Sequence, residues 1–162
     1  MKRIAQFEKV SVEQFRSAFK GAETPEYEAI RLPKRATAGS AGYDFYAPFP
    51  LTVKPGETVT VPTGIRVKME EGWVLKLYPR SGLGFKYRLQ LNNTVGIIDS
   101  DYYYSDNEGH IFIKISNDGY EDKTVTIAAG EAFAQGIFVE FGITLDDDVT
   151  AVRNGGFGST TR

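Results

Sequence analysis

The 162-residue chain has no cysteine. That excludes a disulfide framework, thiolate catalysis, iron–sulfur clusters and cysteine-based zinc sites. Histidine occurs once, at His110, so a His-rich metal site is impossible and a Ser-His-Asp triad would have to be built on that one ring. Acid–base chemistry therefore falls mostly to carboxylates. Long apolar runs are missing as well: nothing approaches the ~18 residues of a membrane helix. Met1 to Lys9 lacks the apolar region of a signal peptide. The expectation is a cytoplasmic protein with no membrane association. An excess of positive charge is also absent, since 19 basic residues face 21 acidic ones for a net charge of −2. No extended nucleic-acid partner is expected, and any anionic ligand must be gripped locally. No G-x-x-x-x-G-K-[ST] string occurs, so P-loop nucleotide binding is unsupported.

What is present is a single-domain composition, with 41% apolar residues and 17 glycines, enough for a proper core. Ser11-Val12-Glu13-Gln14 has the form of a capping box, and Val12, Phe15 and Phe19 follow at helical spacing before Gly21. Residues 1–25 thus read as a helical N-terminal extension. From about residue 26 the pattern becomes short β segments separated by Gly, Pro, Asn and Asp. Candidates are 57–61, 65–69, 73–78, 111–115, 123–127 and 137–141. Several alternate apolar with polar residues, as strands with one buried face do. The class expected for residues 26–150 is mainly β, an antiparallel sandwich or barrel. Residues 151–162, rich in glycine, form either a frayed tail or a mobile functional arm.

Three segments hold more Gly, Asp, Ser and Arg than strand connections need. In Tyr78-Pro79-Arg80-Ser81-Gly82-Leu83-Gly84, proline ends a strand and Ser81 can cap a helical turn, whose free amides with Arg80 suit an anion; the plain alternative is a strand-to-helix turn with a solvated arginine. In Asn92 to Tyr102, Gly96 permits a close backbone approach, and Asp99 and Asp101 would share one face of a strand, with Tyr102 pointing away unless the chain bends. Such carboxylates bind a cation, divide into a base and an acceptor, or simply make a polar turn. The third segment is the tail, with Arg153, Phe157 and Ser159, suited to wrapping phosphate and stacking on a base, or to no role at all. His110, just before an apolar run, reads as part of a strand start rather than a catalytic centre.

In order along the chain stand Ala41-Gly42-Tyr43-Asp44-Phe45-Tyr46-Ala47, Pro79-Arg80-Ser81-Gly82-Leu83-Gly84, Gly96-Ile97-Ile98-Asp99-Ser100-Asp101-Tyr102, Ala134-Gln135-Gly136-Ile137 and Gly155-Gly156-Phe157-Gly158-Ser159-Thr160. This series resembles the five motifs of the homotrimeric dUTPases over about residues 28–161. The resemblance implies a β-barrel or jelly-roll fold, with a short helix after the Pro79–Gly84 loop. It also implies a homotrimer with active sites shared between subunits, and Mg²⁺-dependent hydrolysis of dUTP to dUMP and pyrophosphate, which limits uracil in DNA and supplies dUMP for dTTP synthesis.

By the same resemblance, Asp99 is the base that activates water for attack on the α-phosphorus, a task a carboxylate performs without histidine. Tyr102 packs under the deoxyribose and excludes a 2′-hydroxyl sterically. Asn93 and the backbone at Gly96, Ile97, Ile98 and Phe112 read uracil. Arg80, Ser81 and Gly82 bind phosphates, and Gln135 helps place the water. Asp44 lies near Mg²⁺ through water, Arg153 takes the γ-phosphate, and Phe157, Gly158 and Ser159 close over the substrate. Four features depart from the family pattern: a tail one residue shorter after Arg153, Ala132 where arginine is usual, five additional residues within Tyr103 to Glu108, and Thr160-Thr161-Arg162 where a glycine is common. Alternatives are a dCTP deaminase of the same superfamily and a trimeric regulatory binding protein with weak activity; a regulatory protein partner has no support in the sequence.

Overall fold

The computed structural model describes residues 1–153 and 155, so Phe157, Gly158 and Ser159 lie outside the described residues. In chain order the elements are β1 (Ala5–Lys9), α1 (Val12–Ser17), β2 (Lys34–Arg35), β3 (Tyr43–Tyr46), β4 (Leu51–Val53), β5 (Thr58–Pro62), β6 (Ile65–Met69), β7 (Trp73–Pro79), α2 (Ser81–Tyr87), β8 (Leu89–Leu91), β9 (Gly96–Ile98), β10 (Phe112–Asn117), β11 (Val125–Ile127) and β12 (Ala132–Glu140). Short 3-10 turns cover Tyr27–Ala29 and Ser100–Tyr104. The mainly β class holds. The strands form a five-stranded sheet in the order β2-β3-β12-β7-β9, a three-stranded sheet β5-β10-β8, and the pairs β1-β6 and β4-β11. Each sheet stays open rather than closing on itself. No helix among the described residues is long and apolar enough to cross a membrane.

Alternation works where the sequence displays it. In β10, Ile113, Ile115 and Asn117 are buried while Phe112, Lys114 and Ser116 face outward. The core between the sheets is filled by Phe15, Phe45, Leu75, Leu77, Ile113, Ile115 and Phe133, all essentially inaccessible to solvent. β12 is longer than the expected 137–141 strand because it begins at Ala132 and carries a register shift between Ala132 and Ala134. Phe133 and Ala134 are consequently both buried, which hides the alternation from the sequence.

The N-terminal segment corrects the expectation of a purely helical extension. Ser11 does cap α1, its hydroxyl accepting from the Gln14 amide at 3.1 Å. But residues 5–9 form β1, paired with β6 from Ala5 opposite Met69 to Lys9 opposite Ile65. The physical reason is tertiary. Phe7 packs among Tyr43, Phe45 and Phe138 with ring centroids 5.3 to 5.7 Å away, a partner set that local propensity cannot reveal. Phe15 of α1 is wholly buried, so this segment shares the main core.

Candidate active site

The β8–β9 turn, β9 and the 3-10 turn that follows it build one wall of a cavity of about 630 Å³. Asn93 comes from the turn, Gly96, Ile97 and Ile98 from β9, Asp99 from the junction before the 3-10 turn, Tyr102 from that turn, and Phe112 from the start of β10. Arg153 closes the list of expected residues that this cavity gathers. The turn is tight, with Thr94 at φ +68° and its amide donating to the Leu91 carbonyl at 2.9 Å. Gly96 is indeed a point of close approach, but to the neighbouring strand. A Cβ there would lie 2.9 Å from Leu77 Cβ, so glycine is what lets β9 press onto β7.

Asp99 and Asp101 come together by a different route from the one expected. The chain bends after Ile98, so that Asp99 precedes the 3-10 turn and Asp101 lies inside it. Arg153 bridges them, its Nη2 at 2.5 Å from Asp99 Oδ2 and its Nε at 2.8 Å from Asp101 Oδ1. The same bend turns Tyr102 inward, where it is buried and its hydroxyl donates to the His110 carbonyl at 2.8 Å. Burial raises the Tyr102 pKa, opposed by its hydrogen bond with Asn107 and by the charge of Arg153. It remains a neutral phenol at physiological pH.

His110 is a core residue. Its Nε2 accepts from the Gly64 amide at 2.9 Å, which places the neutral ring's proton on Nδ1, beside the Gln14 side-chain amide, whose oxygen is the atom able to accept it. Burial lowers its pKa to about 4, with Glu108 pulling weakly the other way. It does not line the cavity; its ring packs 4.4 Å from that of Phe112, which does.

A second cluster forms at the other end of β7. Gln135 of β12 stands in register between Asp44 of β3 and Tyr78 of β7. Its Nε2 donates to the Pro79 carbonyl at 3.0 Å. Gly42 lies close beside it: a Cβ there would fall 2.5 Å from Gln135 Oε1, so a side chain at 42 would push the Gln135 amide aside. Arg80 pairs with Asp44 at 3.1 Å and donates to the Ala132 carbonyl at 3.3 Å. The short helix begins inside the Pro79–Gly84 string rather than after it, and Arg80, not Ser81, is its N-cap residue, without a side-chain capping bond. Ser81 and Gly82 are exposed in the first turn. Among the described residues no three His, Asp or Glu side chains converge as a metal site.

These two clusters do not meet within one chain. Ile98 pairs with Leu75, so Asp99 falls beside Val74, six residues from Arg80 along β7. At ~3.3 Å per residue that separation is roughly 20 Å. The sequence reading also missed Thr60 and Lys114, which face each other across β5 and β10 and line the cavity. The outward alternation of Phe112, Lys114 and Ser116 was the available signal, but it does not say what the outward face meets.

The family model described as dUTPase matches residues 28–161 of this chain. The chain belongs to the dUTPase family. A deoxyuridine 5′-triphosphate nucleotidohydrolase from Lactococcus lactis is 44% identical over 134 residues, spanning 81% of this chain and 88% of that protein. The crystal structure of the Streptococcus mutans dUTPase matches with a TM-score of 0.67 and 39% identity over 85% of this chain and 97% of that one. A mutant dUTPase from phage phi11 of S. aureus, described as showing coordination of a structural Mg(II) ion, matches with a TM-score of 0.66 over 92% of this chain and 98% of its own. At 22% identity that likeness concerns the fold. In this dUTPase chain, residues 1–27 precede the family match yet contribute β1 and α1 to the common core.

Proposed function

We propose that the chain hydrolyses dUTP to dUMP and pyrophosphate. The observation that carries this reading is Asp99 at the rim of a cavity whose wall is Ile97, Ile98, Tyr102 and Phe112. Uracil lies against Asn93 and the β9 backbone, where fixed donors and acceptors distinguish it from cytosine, since a mismatched edge leaves buried groups unpaired. Tyr102 lies under the deoxyribose. Asp99 takes a proton from a water, the resulting hydroxide attacks the α-phosphorus, and the bond to the bridging oxygen breaks to release pyrophosphate. Arg153, held by Asp99 and Asp101, exchanges those carboxylates for the γ-phosphate when substrate enters, which frees Asp99 for the water. Phe157, Gly158 and Ser159 close over the nucleotide and exclude other water.

Arg80, Ser81, Gly82 and Gln135 serve the triphosphate and the attacking water. Because they stand roughly 20 Å along β7 from Asp99 of their own chain, the complete site is shared between subunits of a homotrimer. A Mg²⁺ ion held mainly by the triphosphate would fit beside Asp44, the carboxylate of this cluster, which is otherwise paired with Arg80 and would meet the ion through a water. When bound, the ion would neutralise charge on the triphosphate. In the cell this activity limits uracil in DNA and supplies dUMP. The test is pyrophosphate release from dUTP, dCTP, UTP and dTTP with Mg²⁺. Selective release from dUTP is expected; none from dUTP overturns the reading, and ammonia from dCTP selects a deaminase instead.

A further inference from the structure

Tyr102 is fixed by a residue from the turn that follows it. The phenol uses both of its hydrogen-bonding roles: its O–H donates to the His110 carbonyl at 2.8 Å, and its oxygen accepts from Asn107 Nδ2 at 2.8 Å. The other end of that amide, Oδ1, accepts from the Gly109 amide at 3.2 Å, and the His110 amide donates to the Asn107 carbonyl at 3.0 Å. One side chain therefore ties the ring to the turn. The turn itself has little freedom. Glu108 sits at φ +58° and Gly109 at φ +70°, where a Cβ on Gly109 would come within 2.7 Å of Tyr103 Cα.

The turn is also anchored from outside. The Glu108 carboxylate accepts from the Ser11 amide at 2.7 Å and from the Ser11 hydroxyl at 2.6 Å. Those bonds, with Arg66 nearby, hold its pKa below the usual carboxylate value, against the opposing effect of burial. Tyr103 donates to Glu8 at 2.8 Å, while Arg66 lies 3.8 Å over the Tyr103 ring and 3.3 Å from Glu8. Residues 8–11, which precede the family match, thus grip both flanks of Asn107.

We infer that Asn107 is a positioning residue for sugar discrimination: it holds the Tyr102 ring at the cavity wall, at the height that leaves no room for a 2′-hydroxyl. The inference rests on the functional reading above, in which that ring underlies the deoxyribose. A phenol with one hydrogen bond can pivot about its Cβ, whereas one held from two directions cannot. Loss of the Asn107 donor lets the ring yield to a larger sugar.

The experiment compares kcat and KM for dUTP and UTP in the wild type, Asn107→Asp and Asn107→Ala. Asn107→Asp keeps the acceptor for the Gly109 amide but exchanges the donor to Tyr102 for a charged acceptor. The single phenolic proton can then serve either that carboxylate or the His110 carbonyl but not both, so the ring loses one of its two anchors while the turn is preserved even if Asn107→Ala does not fold. The ratio of kcat/KM for dUTP to that for UTP is expected to fall about tenfold in Asn107→Asp, chiefly through a lower KM for UTP. Loss of folded protein alone leaves this ratio unchanged, because both substrates meet the same active fraction. An unchanged ratio in a variant that still hydrolyses dUTP overturns the inference. A wild type with no preference for dUTP overturns the functional reading instead.

Discussion

Asp99 is one of two carboxylates bridged by a single guanidinium, 2.5 Å from Arg153, and in the proposed reaction it must leave that partner to take a proton. Asp99→Asn is expected to keep nucleotide affinity in calorimetry while turnover drops by ~10²–10⁴, the range for loss of a general base; unchanged turnover moves the base elsewhere. The lone histidine offers a prediction of another kind. His110 is inaccessible to solvent and its pKa is lowered from 6.5 to about 4. Between those values the unfolded chain binds a proton that the folded chain refuses, so stability falls as pH drops from 6.5 to about 4 and this contribution then levels off. The shift corresponds to ~3 kcal/mol. Urea midpoints measured across that window should decline, and His110→Gln should lose the His110 part of the slope. The sequence placed His110 at a strand start and outside catalysis. That its ring accepts the Gly64 amide was not legible, because the two residues are 46 positions apart.

At the scale of elements, α1 shows how local and distant signals combine. The capping box was readable from Ser11 to Gln14, and the Ser11 hydroxyl takes the expected bond. The same hydroxyl donates to Glu108 across 97 residues, which no spacing rule announces. Ser11→Ala should therefore cost more than an ordinary cap, about 2 kcal/mol rather than 1, read as a shift in the denaturant midpoint; a loss below 0.5 kcal/mol would show that Glu108 finds water just as good a partner. β1 was missed because Ala5 to Lys9 contains a single strong β former, Phe7, and its pairing with β6 is driven by rings contributed from β3 and β12. β12 was seen only in its C-terminal half, since its register shift buries two consecutive residues.

For the whole molecule, the decisive geometry is that β7 carries Arg80 past its C-terminal end while β9 delivers Asp99 beside β7's beginning. If each site draws Asp99 from one subunit and Arg80 from another, then Asp99→Asn and Arg80→Ala chains, each nearly inactive alone, should recover part of the dUTP hydrolysis when co-expressed as mixed trimers. No recovery, with mixed assemblies confirmed by mass, places both groups in one chain's site. Sedimentation should give three times the chain mass of 18.0 kDa. An excess of positive charge is unnecessary to such an assembly. A few arginines, oriented amides and one cation suffice in the proposed reaction to hold a single triphosphate, so a net charge of −2 is no obstacle to it.

The sequence by itself determined the β class, the cap of α1, the absence of thiol chemistry, and the part of the cavity lining that runs from Asn93 to Tyr102 with Phe112 and Arg153, though not Thr60 and Lys114. These depend on composition, on periodicity of two or four residues, and on short contiguous strings. Only the tertiary structure decided that Asp99 and Asp101 meet through Arg153, that Arg80 turns to Asp44, and that Asn107 and Glu108 tie Tyr102 to Ser11. Each of those bonds joins groups whose separation is set by strand register and chain bends, and register is fixed by the packing of side chains from distant parts of the chain.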